Sequence, residues 1–348
     1  MLRVKSELKL YFKLHAAGII NQVLSTELGL SIGLLANRKV IFTKFICIAK
    51  SPIAISGNNF DGIDKLIEGS HKPIIFDILD LPINDFDYGD HKEAEQYSKD
   101  FGSIIQYYMV DEQPEDSSKE EFFSEGRQKL ILPDETVYIE RDTISAYSRF
   151  FFNRSKKLDR FLSTIQFQKE YQELAKQIAQ SLGDFKGIHV RLTDHAQIMF
   201  AATQERFEKG LNLLSDDPLP LVICTDDHTD YLVKYRKTAI MLDQYIIKNF
   251  QKEFRALPYH DLTVFGAICL LVMSYAKEFI GTPGSTYSGY IQRLRINRGL
   301  NPSFLFIDDP DHSNNFSKTG PYSWNGFVIH PNTKAWWREW PECKLNID

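Results

Sequence analysis

A doubly wound α/β protein built on parallel sheets is what this sequence predicts, and three observations carry that prediction. Short apolar runs alternate with segments of helical periodicity along the chain, the pattern of parallel strands buried on both faces by helices. The three clearest runs, in the C-terminal half, each give way to unusual residues: Arg191, Thr193 and Asp194 after the first, Thr225, Asp226 and Asp227 after the second, and Thr282 to Ser288 after the third. A length of 348 residues exceeds one comfortable core and suits two domains, expected over residues 1–180 and 181–348.

Element by element, 18–42 reads as loop, helix and strand. Leu24, Leu28, Ile32 and Leu35 recur at helical spacing, Asn37 closes the helix, and Lys39–Phe42 is the strand. Residues 71–82 give a second apolar run, closed by Pro82. From Asp85 to Arg127 the chain turns acidic and irregular, and this reads as an insertion carrying solvated loops or an acceptor-facing lid. Asp85 and Asp87 have the Asp-x-Asp form of some metal-dependent sugar transferases, but in a polar loop without strand-helix context, and no metal is expected. Residues 155–183 form a long helical pattern ending at Gly183, a natural C′ glycine. Strand 186–191 follows, then strand 219–224, then a helix, a short strand Glu278–Gly281, a Gly-Pro-rich turn and a second helix.

Composition narrows the function classes. Forty-one basic against 46 acidic residues give a net charge of −5, with no basic footprint for nucleic acid. The cysteines, Cys47, Cys224, Cys269 and Cys343, are far apart and form no CxxC pair, which excludes the common zinc and redox motifs and fits a reducing compartment. The first residues are charged without an apolar h-region, and no uncharged apolar stretch is long enough to span a bilayer. A cytoplasmic protein with no transmembrane segment is the expectation.

Ligands of open parallel sheets bind beyond the carboxyl ends of the strands, which is where the unusual residues stand. Gly281 and Gly284 allow a tight turn, Pro283 bars an early helix start, and Ser285 is a natural N-cap. The amides of Thr286, Tyr287 and Ser288 would then face outward at the positive end of a helix, an anion site, unless Ser285 simply caps. Arg191 offers a permanently charged fork suited to a diphosphate, or an ion pair with Asp194 or Asp226. His189 shares its strand face. Asp226 and Asp227 are placed to hold a ribose, orient Arg191 or cap the next helix.

These segments resemble the fucosyltransferase superfamily of protein O-fucosyltransferases, α1,6-fucosyltransferases and the rhizobial nodulation fucosyltransferase. GIHVRLTDH (187–195) is similar to its His-x-Arg peptide, closest to the HVRRTDK form of the α1,6 branch. ICTDD looks like the second peptide and YAKEFIGTPGSTYSGYIQRLR the third. GIINQVLSTELGLSIGLLANRKVIF resembles the opening Gly-Phe-Asn-Asn-Gln loop and first helix. The resemblance covers roughly 18–45 and 160–300.

It implies a GT-B fold, two Rossmann-like domains facing across a cleft, with the tail crossing back. It implies inverting, metal-independent transfer from a nucleotide sugar, usually GDP-fucose, to a glycan, glycolipid or protein acceptor, with no cofactor. Arg191 would hold the β-phosphate and stabilise the departing diphosphate. Ser285, Thr286 and Tyr287 would bind phosphate, His189 would approach the base, and Asp194, Asp226, Asp227 and Gly18 complete the donor-binding set. Asn21 would sit near the sugar across the cleft.

The chain departs from the family at three places. Leu192 stands where the α1,6 branch has a second arginine, His195 where it has lysine, and Cys269 where family members have a guanine-reading aspartate. Asp261 could replace that aspartate after a shift. Otherwise the donor carries another base, as in a UDP-sugar, or the protein binds nucleotide sugars or glycans without turnover. Glu27, Asp194, His195 and Glu205 are the candidates for a general base. Trp336, Trp337 and Trp340 would either stack on acceptor sugars or dock the tail.

Overall fold

Two parallel sheets, one in each of two units, organise the chain. The first unit comprises Met1–Ala49, Ile67–Phe167 and Asn346–Asp348, and the second Lys50–Leu66 and Gln168–Leu345. The computed structural model describes residues 8–13, 19–36, 38–43, 79–81, 86–89, 135–139, 164–191, 204–212, 214–225, 232, 235, 238–260, 262–282, 285–300, 304–305, 322–324 and 327–329. The division falls at Phe167 and Gln168, so the helix Lys169–Leu182 goes with the second unit. A boundary at 180 and 181 would cut that helix in its last turn.

In the first unit, β1 (Lys9–Lys13), α1 (Ile19–Ala36) and β2 (Lys39–Thr43) succeed one another. The short β3 (Leu79–Asp80), β4 (Phe86–Gly89), β5 (Val137–Ile139) and β6 (Gln166–Phe167) follow. The sheet runs β4-β2-β1-β5 with every pair parallel. β3 and β6 form a separate antiparallel pair. The acidic insertion expected from Asp85 thus begins with a sheet strand. Phe86-Asp87-Tyr88-Gly89 lacks the apolar run of a central strand, and among the described residues it stands at the edge of the sheet, paired with β2 alone. Residues 90–127 lie outside the described residues.

Helix α1 is buried almost wherever it is described, Gln22, Ser25, Thr26 and Ser31 included. Thr26 donates to the Gln22 carbonyl at 2.9 Å and Ser31 to that of Glu27 at 2.6 Å, so hydroxyls satisfy themselves on their own helix. Two glycines let α1 lie close on the sheet. A Cβ at Gly33 would stand 2.2 Å from Val40 Cγ2 and 3.1 Å from the Arg38 carbonyl oxygen, and one at Gly29 would stand 2.8 Å from Phe42 Cε1. Phe12 and Phe42 meet edge to face beneath it, 6.1 Å apart.

The second unit opens with α2 (Lys169–Leu182), whose buried Tyr171, Leu174, Ala175, Ile178 and Ala179 form one stripe. This is shorter than the helix expected over 155–183. Ile165, Gln166 and Phe167 alternate buried, exposed and buried, the period of a strand rather than a helix. Gly183 ends α2 as expected, at φ +70°, with its amide on the Gln180 carbonyl.

Then come β7 (Lys186–Val190), α3 (Gln204–Leu211), β8 (Leu221–Thr225), β9 (Ala239–Met241) and α4 (Leu242–Arg255). They are followed by α5 (Leu262–Met273), β10 (Glu278–Gly281), α6 (Thr286–Asn297) and β11 (Phe304–Leu305). A hairpin of β12 (Tyr322–Trp324) and β13 (Phe327–Ile329) joins across Asn-Gly in the sequence.

The second sheet runs β11-β10-β7-β8-β9, all parallel. Numbered by first appearance within the sheet, its strands lie in the order 3-2-1-4-5, and those of the first sheet in the order 3-2-1-4. Both are the doubly wound arrangement, with a switch point between the first strand and the fourth. In the second sheet that point lies between β7 and β10.

One face buries Ile188, Val190, Ile223, Met241 and Ile280 with Phe207 of α3. The other meets α5, where a Cβ on Gly187 would stand 2.8 Å from Met273 Cε and 2.9 Å from Ala276 Cβ. The Met273 methyl ends a flexible side chain and can turn aside, but the Ala276 Cβ is fixed to its backbone, so a side chain at 187 would push the strand and the chain at Ala276 apart.

The start of β10 is fixed by charge. Arg295, fully buried, donates to the carbonyls of Ala276 and Lys277 (3.3 Å for the latter), and burial lowers its pKa to about 10. Glu278 accepts from the Ser215 amide at 2.8 Å and from its hydroxyl. Burial opposes this charge, but the bonds from Ser215, with Lys186 and Lys277 nearby, outweigh it and hold the carboxyl below its ordinary value. A depressed folded value adds stability that is present above the unfolded pKa and lost as pH falls through the folded one. Chemical denaturation should therefore find Glu278→Gln less stable than wild type at neutral pH, with the gap closing below about pH 4. Among the described residues, no helix is long and apolar enough to cross a membrane.

Candidate functional site

The switch point between β7 and β10 gathers polar groups from β7 and from the turn into α6. Strand β7 runs Gly187-Ile188-His189-Val190, its alternate residues dividing between the two faces of the sheet. Arg191, half-buried, follows at the end of the strand. β10 pairs with β7 through Glu278↔Lys186, Phe279↔Gly187 and Ile280↔Ile188. Beyond that register side chains take over. The Thr282 hydroxyl donates to the His189 carbonyl at 2.8 Å and accepts the Arg191 amide at 3.0 Å.

Ser285 precedes α6 as the expected N-cap. Its carbonyl accepts the Gly289 amide at 3.0 Å and its hydroxyl the Ser288 amide at 3.5 Å. Thr286 and Tyr287 are the first two helical residues, with no carbonyl one turn earlier inside the helix to receive their amides. The positive end of α6 thus stands beside the tip of β7, where Arg191 begins.

His189 is buried, with Nδ1 2.6 Å from Ser288 Oγ and its ring tilted 31° against that of Tyr287 at 4.6 Å. The Tyr287 hydroxyl donates to the Gly266 carbonyl at 2.7 Å and lies 3.8 Å from Cys224 Sγ. Burial, then the neighbouring thiols Cys224 and Cys269, push this phenol well above its ordinary pKa. It is a neutral positioning ring.

Cys269 does not open onto this edge. It is 2% exposed on α5, hydrogen-bonded with Cys224. Burial first, then Cys224, raises its pKa well above that of a free thiol. A protonated, enclosed thiol is a poor nucleophile. Native protein at pH 8 should leave Cys224 and Cys269 unalkylated by iodoacetamide, and unfolded protein should carry the label at both by mass spectrometry. Rapid native labelling of either would contradict this packing.

A carboxylate that the sequence reading passed over stands nearby. Asp243, 6% exposed, lies in the first turn of α4 directly after β9, and its charge reaches Cys269. Its signal was positional: an acidic residue in the first helical turn at the carboxyl end of a strand.

Of the residues singled out from sequence, the structure brings together His189, Arg191, Ser285, Thr286 and Tyr287. Glu27, weighed as a base, is wholly buried in α1 and closed to an acceptor. Asn21 lies on the first turn of α1, its side chain outside the description, and Glu205 stands likewise on α3. Gly18, Asp194, His195, Asp226, Asp227, Asp261 and the tryptophans Trp336, Trp337 and Trp340 lie outside the described residues.

No protein-family model matches the chain, and no curated protein matches it in sequence. Solved structures do. The fucosyltransferase NodZ from Bradyrhizobium is similar at 11% identity over 83% of this chain and 94% of that one, with a TM-score of 0.46. Arabidopsis thaliana FUT1 in complex with GDP is similar at 13% identity over 87% and 71%, with a TM-score of 0.44. POFUT1 in complex with GDP-fucose is similar at 12% identity over 86% and 98%, with a TM-score of 0.41.

Proposed function

We propose that this chain is a glycosyltransferase that binds a nucleoside-diphosphate sugar at the carboxyl edge of its second sheet and transfers the sugar with inversion, GDP-fucose being the first donor to test. One observation carries the reading: the strand end that bears a permanently charged arginine is bonded, Arg191 amide to Thr282 hydroxyl, to the turn that opens a helix, at the switch point of a doubly wound sheet, the place where such folds hold phosphates. The His-x-Arg, second and third peptides of the sequence add the donor class by resemblance.

In this reaction an acceptor hydroxyl attacks the anomeric carbon as the bond to the diphosphate breaks, and negative charge grows on the departing β-phosphate oxygen. In this reading Arg191 and the amides of Thr286 and Tyr287 meet that charge, and a fixed donor is worth most where charge develops. The guanidinium and helix end supply the positive charge that a divalent metal supplies elsewhere, so transfer needs no metal. Asp194, Asp226 and Asp227 belong to the same donor side in this reading, and the acceptor is a glycan, glycolipid or protein hydroxyl in the cytoplasm.

A second donor class is favoured by one feature. Cys269, at the position of a guanine-reading aspartate in the family, is an enclosed neutral thiol, which leaves UDP-sugars as the alternative. Thermal unfolding with GDP, GDP-fucose, UDP and UDP-sugars, each with and without EDTA, separates the two. A GDP-selective, EDTA-resistant shift followed by transfer of labelled fucose supports the first reading. A UDP-selective shift replaces the donor, and no shift with any nucleotide sinks the proposal.

A further inference from the structure

We infer that Thr282 is a positioning residue for Arg191, and Ser288 for His189: two hydroxyls of the β10–α6 turn take over bonds that the sheet would otherwise make, and so fix the end of β7 that faces the donor. The inference rests on reading Arg191 as the diphosphate-binding group, and it names what holds that group in place.

The register shows the substitution. In a parallel pair, a residue standing opposite one neighbour bonds through its own amide and carbonyl to the residues on either side of that neighbour. Ile280↔Ile188 continues to Thr282 opposite Val190, so the Thr282 amide would meet the His189 carbonyl and its carbonyl the Arg191 amide. The hydroxyl makes both bonds instead, giving its proton to His189 O and accepting the Arg191 N–H. A hydroxyl has one proton and two lone pairs, so both are satisfied at once.

The backbone groups thus released enter the helix start. The Thr282 amide donates to Ser288 Oγ at 2.9 Å, and the Thr282 carbonyl accepts the Ser285 amide at 3.3 Å. The chain leaves the sheet and begins a helix within four residues without orphaning the Arg191 amide. Ser288 Oγ, already accepting from Thr282, has its own proton to give to His189 Nδ1 at 2.6 Å. An accepting Nδ1 puts the ring proton of the neutral imidazole on Nε2, making His189 a donor at that atom. Thr282 and Ser288 are fully buried, so water does not replace either bond.

The test uses the full chain with Thr282→Val, which keeps the side-chain shape and removes the hydroxyl, Thr282→Ser, which restores it, and Ser288→Ala. Amide hydrogen exchange at Arg191, GDP titration and the ring-nitrogen resonances of His189 are read for each. Thr282→Val should exchange the Arg191 amide about tenfold faster or more and bind GDP about tenfold more weakly, two lost bonds being its cause. Thr282→Ser should recover both, as a merely destabilised fold would not. Ser288→Ala should turn a single Nε2–H tautomer into a mixture, and it carries the test by itself if Thr282→Val does not fold.

An Arg191 amide as protected in Thr282→Val as in wild type overturns the inference, as does unchanged GDP affinity alongside fast exchange. Wild-type protein that binds no GDP overturns the diphosphate reading, while exchange and tautomer still judge the two hydroxyls.

Discussion

Replacing Arg191 with alanine should remove most of the stabilisation that a nucleoside diphosphate gives the wild-type protein. At a hundred times its dissociation constant a ligand stabilises the folded state by about 2.7 kcal/mol, a shift of roughly 2–4 °C for each kcal/mol in a unit of this size. Loss of a forked, charge-assisted contact weakens binding by about a hundredfold, which leaves about 0.4 kcal/mol at the same ligand concentration. Turnover should fall further, by about 10²–10³, because the charge that Arg191 meets is greatest as the diphosphate departs. Arg191→Lys keeps the charge but not the fork and should land between the two. Calorimetric titration with GDP, paired with a transfer assay, reads both effects. Equal binding and turnover in Arg191→Ala and wild type would move the phosphate site elsewhere in the molecule.

The second large effect is on stability. Gly33→Ala puts a methyl carbon 2.2 Å from Val40 Cγ2 and 3.1 Å from the Arg38 carbonyl oxygen. Val40 is β-branched and buried in the sheet, and the Arg38 backbone follows directly on a bond from its amide to the Gly33 carbonyl at 2.9 Å, so neither neighbour yields readily. Helix α1 must lift off β2, at a cost of about 3 kcal/mol or more. Scanning calorimetry should show a lower or lost transition for the first unit. Gly183→Ala is the contrast: a Cβ there meets nothing within 4 Å, and only the positive φ of 70° is strained, which costs about 1 kcal/mol. If Gly33→Ala melts with wild type, the close seat of α1 on the sheet is wrong.

How much could be read from sequence follows the strength of each local signal. Strands β7, β8 and β10 announce themselves because they are central, buried on both faces and followed at once by polar residues. Ser285 was legible as a cap because Pro283 and two glycines leave the helix no earlier start. Strand β4 was not legible: an edge strand needs no apolar run, and its charged neighbours drew Phe86 and Asp87 into the supposed insertion. β6 was absorbed into a helical pattern, since two residues are too few to show their own period. At the site, Arg191 and His189 stood out by chemistry, whereas Thr282 and Ser288 looked like ordinary turn residues. Their role depends on the register of two strands 91 residues apart, Arg191 to Thr282, which no local pattern contains. Asp243 did carry a local signal, an acidic residue in the first turn of a helix that follows a strand, but its link to Cys269 of α5 did not.

Gly187 has a consequence for how this protein can diversify. Two residues before His189 the strand is located by the absence of a side chain, against Met273 and Ala276, and not by anything that touches a ligand. Where the main chain sits and what it presents are therefore governed by separate positions. Mutational drift at 191, half-buried at the end of the strand, alters the chemistry offered at the sheet edge while leaving the strand where it is. Drift at 187 would displace every residue of that edge together. A lineage exploring new donors on this scaffold is freer at the former than at the latter, so saturation libraries scored for folding should tolerate many residues at 191 and few at 187.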